Sequence, residues 1–83
     1  MTEVPIDVRT DPLDGRPALD DRDTPILAPG THPRRGRGWF LYYRGRDGSV
    51  AMHHIPHPWA HDLRQAETMA RQHLRDHRRG DRL

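Results

Sequence analysis

The feature that most constrains this chain is a pair of apolar runs set on either side of a turn. Trp39–Arg44 reads WFLYYR, Ser49–Ile55 reads SVAMHHI, and Gly45-Arg46-Asp47-Gly48 between them contains an Asp-Gly pair. Aromatic and β-branched residues favour extended backbone, and Asp-Gly readily adopts the positive φ angles of a tight turn, so these residues predict an antiparallel β-hairpin. With a turn of two or four residues, Trp39, Leu41 and Tyr43 share a face with Val50, Met52 and His54, and that face is expected to meet a helix. The other face then carries Phe40, Tyr42 and Arg44 beside Ala51, His53 and Ile55. It is too apolar to be ordinary solvated surface, so a third strand, the N-terminal arm or a partner is expected to cover it.

The helix follows from the spacing after the hairpin. Pro56 and Pro58 end the second strand, and Asp62 with Gln65 three residues later reads as a capping box that opens a helix at Leu63. At about 100° per residue, Leu63, Ala66, Ala70, Leu74 and His77 form one stripe that would pack on the sheet. Trp59 is expected to close the near end of that core, and Gly80 to stop the helix.

Before the hairpin the character of the chain changes. Residues 1–31 hold three arginines against seven acids and five of the eight prolines, whereas residues 32–83 hold eleven arginines against five acids. Residues 1–33 therefore read as an acidic, proline-rich arm, extended or disordered, and residues 34–83 as a basic hairpin-and-helix domain. Arg34–Gly38, RRGRG, reads as a flexible basic hinge. Two stretches of the arm could add an edge strand: the alternating Val4, Ile6 and Val8, and the apolar run Ile26-Leu27-Ala28. Pro5 and Pro25 confine such strands to edges. The expected fold is α+β: a small antiparallel sheet packed by one C-terminal amphipathic helix, with an extended N-terminal arm.

Composition narrows the function. Only 33% of the 83 residues are hydrophobic and there is no cysteine, which excludes a disulfide framework, a thiol nucleophile and thiolate metal ligation. No stretch approaches the roughly 18 apolar residues that cross a bilayer, and the N-terminus lacks a signal-peptide apolar run, so a cytoplasmic, non-membrane protein is expected. There is no nucleophile elbow, phosphate loop or paired-carboxylate spacing, and an enzyme is not expected. No cofactor is expected either.

The basic residues point to nucleic acid. On a helix, Arg64, Arg71, Arg75, Arg78 and Arg82 lie within about 40° of one line, forming a ridge suited to phosphates. Arg34, Arg35, Arg37, Arg44 and Arg46 flank the aromatic residues of the hairpin. Guanidinium groups hold phosphates while aromatic rings stack on bases, so Phe40, Tyr42 and Ile55 are assigned as the stacking or partner face. Gly38-Trp39, Tyr43-Arg44, Asp47-Gly48 and Gln65-Ala66-Glu67 with Ala70 resemble the arm-type DNA-binding domain of phage-type tyrosine integrases over about forty residues. That resemblance implies DNA contact by the sheet face, hence by Phe40, Tyr42 and Arg44, in an accessory protein of a phage or mobile element. The segment between Gly48 and Asp62, rich in histidine and proline, departs from the family pattern. The alternative is a protein-interaction module, an inhibitor, adaptor or small subunit, or a homodimer, docking through the same hairpin face.

Four of the seven histidines, His53, His54, His57 and His61, fall within nine positions. His73 and His77 have the i, i+4 spacing that can direct two imidazoles at one metal ion, but no evident carboxylate accompanies them, so no metal site is assigned. A milder expectation is that the histidine cluster gains positive charge in mild acid.

Overall fold

A computed structural model describes residues 5–81 of the chain, and side chains as far as residue 77. It shows an α+β fold in which four strands and one helix follow in the order β1 (Asp7–Val8), β2 (Ile26–His32), β3 (Gly36–Arg44), β4 (Val50–Pro56) and α1 (Leu63–Asp81). The strands form one sheet in their sequence order. The β2–β3 and β3–β4 pairs are antiparallel, whereas β1 runs parallel to β2, so the sheet is mixed rather than wholly antiparallel.

The expected hairpin is present, but its register differs from the expectation by one residue. The Gly45 amide donates to the Ser49 carbonyl at 2.8 Å, which leaves three residues, Arg46-Asp47-Gly48, in the loop. Gly48 has φ of 87°, and Asp47 Oδ1 accepts from both the amide and the hydroxyl of Ser49. An odd loop with a left-handed glycine is the three-residue hairpin solution, and it reverses the parity that a two- or four-residue turn imposes. Leu41 therefore faces His53, and Trp39 faces Ile55, on the side that meets α1. Phe40 pairs with His54 and Tyr42 with Met52 on the other side.

The helix side holds the core. Leu27, Leu41 and Ile55 come from three adjacent strands and meet Ala60, Ala66, Ala70 and Leu74, with Ile6, Trp39, Tyr43 and Met69 at the margin. The small alanines allow α1 to approach the sheet closely. Asp62 Oδ1 accepts from the Gln65 amide at 2.9 Å, and Gln65 Oε1 accepts from the His61 amide at 2.7 Å, a reciprocal cap that opens the helix at Leu63. Leu63 itself is 37% exposed, and the helix continues through Gly80 to Asp81 instead of stopping there. Trp59 is also not where the sequence suggested: the amides of Trp59 and Ala60 both donate to the Pro56 carbonyl in a turn that buries Ala60 and leaves Trp59 72% exposed.

The N-terminal arm becomes part of the fold. β2 is an interior strand, although Pro25 argued for an edge and Pro29 sits inside it. Its polarity explains the tolerance. The Leu27 carbonyl accepts from the Arg9 amide, so odd-numbered residues of β2 point their backbone groups toward β1, and β1 has already ended before Pro29 would need to donate. Residues 9–25 connect the parallel pair. They leave β1 at one edge of the sheet, reach β4 at the other edge where Arg16 Nη1 donates to the Val50 carbonyl at 3.1 Å, and return to β2. With α1 on the first face, this crossover spans the second, where Ile26, Ala28 and Tyr42 are almost fully buried. The boundary expected at residue 33 thus falls inside the sheet. The expected flexible hinge is a turn whose Arg34 and Arg35 amides both donate to His32 Nδ1, followed directly by β3. Val4 lies outside the described residues.

Candidate nucleic-acid interface

The aromatic face assigned from the sequence is largely covered. Ile55 is 1% exposed beneath α1, Tyr42 is 5% exposed beneath the crossover, and Phe40 is half-buried with its ring between those of Tyr42 and His54. The register change moved Ile55 to the helix side, and the crossover supplied the cover for the other two. Burial also pushes the Tyr42 and Tyr43 hydroxyls up from the ordinary phenol range.

The arginines separate into groups with different surroundings. Arg44 is committed: its guanidinium donates to Asp23 Oδ1 at 3.0 and 3.2 Å and to the Gly48 carbonyl at 2.6 Å. Asp23 reaches it from a left-handed conformation, φ 55°, which aspartate tolerates better than most residues. Arg46 is exposed on the hairpin loop. On α1, Arg64 and Arg75 are exposed, whereas Arg71 is half-buried and donates to Glu67 at 3.1 Å. The side chain of Arg78, and Arg82 as a whole, lie outside the described residues. Arg34 and Arg35 on the β2–β3 turn and Arg37 at the start of β3 are exposed, and no carboxylate among the described residues pairs with them. Arg37 and Arg44 sit at opposite ends of β3, roughly 23 Å apart at about 3.3 Å per residue.

Around the β2–β3 turn the surface forms a groove of about 680 Å³ lined by Arg35, Arg37, Trp39, His57, Pro58 and Pro12 among others. Its geometry comes from the end of the β3–β4 ladder. The His57 amide donates to the Arg37 carbonyl at 2.9 Å, extending the pairing one residue past β4 and placing the His57 ring flat over Trp39, 5.9 Å between centroids and 13° between planes. His61 meets His57 edge-on at 6.0 Å. Trp59, next along the chain from the groove-lining Pro58, is exposed, and Arg64 follows in the first turn of α1. The result is an open groove with flat π surfaces and guanidinium groups not held by carboxylates, a combination that suits stacked bases and phosphates. Sequence reasoning included the three arginines but missed His57 and Trp59. The prolines around them, which force a turn that points its rings outward, were the available signal.

A second hollow, about 540 Å³, lies at the other end of the sheet among Tyr43, Arg44, Leu74, His77 and residues 20–25. Several of its polar groups are already used, Arg44 by Asp23 and Asp20 by its own loop. Asp20 accepts from the Arg22 and Thr24 amides and from the Thr24 hydroxyl, which holds its carboxyl below the usual range.

The histidines form pairs. The His53 and His73 rings stack at 3.8 Å and 7°, and the Tyr43 hydroxyl shares a 2.9 Å hydrogen bond with His73 Nε2. His54 lies 5.1 Å from His32 on the opposite face. Burial holds His53, His54 and His73 below the ordinary imidazole range, and positive neighbours add to the effect: His73, His54 and Arg35 at His53, His32 and Arg35 at His54, and His77 at His73. Among the described residues no group of three or more histidine, aspartate or glutamate side chains gathers as a metal site. His73 and His77 are instead packed around the Tyr43 ring. No described helix is long and apolar enough to cross a membrane. No protein-family model, curated protein or solved structure matches the chain.

Proposed function

We propose that this protein binds single-stranded nucleic acid at the β2–β3 end of its sheet, gripping phosphates with Arg34, Arg35 and Arg37 and stacking bases on Trp59 and on the Trp39–His57 row. The observation that carries this reading is the groove in which arginines free of carboxylate partners meet flat aromatic surfaces. Trp59, exposed and next in the chain to the groove-lining Pro58, offers a flat ring suited to a base, whereas the core of a protein interface needs a broad desolvated patch. Arg64, at the start of α1, extends the basic surface, while Arg44 and Arg71 are engaged in ion pairs and are assigned no role. Recognition is electrostatic and largely indifferent to sequence. The integrase-like resemblance implied DNA contact by the sheet face; the burial of Tyr42 and Ile55 and the ion pair of Arg44 favour a reading in which the contact lies at the sheet's end. The rival docking module would need Phe40, Tyr42 and Ile55 on the surface.

The test is fluorescence anisotropy of labelled single- and double-stranded oligonucleotides over a range of salt, with an Arg35→Glu/Arg37→Glu variant alongside. Binding is expected to weaken as salt rises, with a log–log slope that becomes shallower by roughly 1 for each phosphate the variant no longer neutralises. Absence of binding at low salt, or a variant that binds like the parent, would refute the proposal.

A further inference from the structure

β4 carries two adjacent histidines that face opposite layers, and each is pressed against another histidine. His54 is 8% exposed with neither ring nitrogen hydrogen-bonded, its ring 5.0 Å from Phe40 and 5.1 Å from His32. His53 lies on the helix side, and its stack with His73 is a direct side-chain contact between β4 and α1. Tyr43, from β3, joins it through the bond to His73 and packs edge-on against His77 at 5.1 Å. We propose that the His53–His73 stack is an acid-released latch: neutral, it holds the C-terminal half of α1 on the sheet, and protonated, it lets that half of the helix lift.

Several features of the site support this. A flat stack at 3.8 Å suits two neutral rings, and two imidazolium rings in the same place would repel at close range in a half-buried setting. A charged His73 has only donors on its ring, so the Tyr43 hydroxyl must then act as acceptor. The charged groups near the stack are nearly all basic: Arg35 from the β2–β3 turn, His77 from α1 and, behind the sheet, His54 from β4. One carboxylate opposes them, Asp76, which is exposed and already accepts from the Gln72 side chain at 3.1 Å. The contacts beneath this part of α1 are also slight, since Leu74 is its one buried apolar side chain beyond Ala70 among the described residues. The native state therefore takes up fewer protons than the released one. The sign follows: helix docking is fully present above the ordinary histidine midpoint of about 6.5 and is lost as pH falls below it. The latch stands independently of nucleic-acid binding.

Amide hydrogen exchange measured from pH 7.5 to 5.0, corrected for the intrinsic effect of pH, tests it directly. The α1 amides from about residue 70 onward are expected to lose protection ahead of those in β2 and β3, with opening favoured about tenfold per pH unit for each proton taken up. A His53→Phe variant keeps a flat ring on His73 and removes one proton site, so its α1 protection should depend less on pH. Equal protection at both ends of the range would overturn the latch, as would simultaneous loss across the sheet or an unchanged pH dependence in His53→Phe. Should that variant not fold, NMR titration of the parent decides: ring midpoints for His53 and His73 below about 6.5 support the latch, and midpoints at or above it refute it.

Discussion

The two ends of β3 both carry arginines but put them to different use. At the hairpin end Arg44 serves the structure, held by Asp23 from the crossover and by the Gly48 carbonyl. At the β2–β3 end the backbone does the holding, because His32 ties down the Arg34 and Arg35 amides and leaves their side chains exposed. A charged residue is available for a ligand only when something other than its charge fixes its position. A count of basic residues along a sequence cannot separate these two cases.

The difference can be broken by mutation. The largest effect is expected from Trp59→Ala, which should weaken single-strand binding by about 1–3 kcal/mol as a lost stacking platform while leaving stability within about 0.5 kcal/mol of the parent. Anisotropy and urea unfolding on the same sample measure both; a large loss of stability instead would mean that Trp59 belongs to the core. Gly48→Ala should cost about 1–2 kcal/mol of stability, because φ of 87° is strained for any residue with a Cβ, with no change in nucleic-acid affinity. The smallest effect is expected from Arg44→Ala. Its ion pair is partly exposed, so about 0.2–1 kcal/mol of stability should be lost, again without change in binding. A drop in affinity with Arg44→Ala would erase the distinction between the two ends.

Much of the architecture was legible in the residues. The apolar runs with Asp47-Gly48 identified the hairpin, and Asp62 with Gln65 identified the helix start, because both are local signals whose donors and acceptors lie within a few residues of one another. The register was not legible: one residue in loop length decides which face Ile55 occupies, and Gly45-Arg46-Asp47-Gly48-Ser49 is compatible with either parity until the Gly45–Ser49 bond is seen. β2 was half legible. Ile26-Leu27-Ala28 stood out, but Pro29 argued against an interior strand, and only the direction of its backbone groups and the shortness of β1 remove the objection. For the candidate site, the basic turn was visible in RRGRG, whereas the stacking surface was assigned to Phe40 and Tyr42 because nothing in the sequence shows a crossover folding back over them. The His53–His73 and His32–His54 pairs join residues twenty or more positions apart and had no local signature.

That crossover also has a meaning in terms of competition. The segment from Arg9 to Pro25 is tethered at both ends to the strands beside the face it covers, so it acts as a ligand already attached to its receptor. Short tethers give effective concentrations on the order of millimolar, so even a weak intrinsic preference for the face keeps it occupied. An external strand or peptide would have to exceed that local concentration before touching Tyr42 or Ala28. The buried part of that face, Ile26, Ala28 and Tyr42, is thus kept private by covalent linkage.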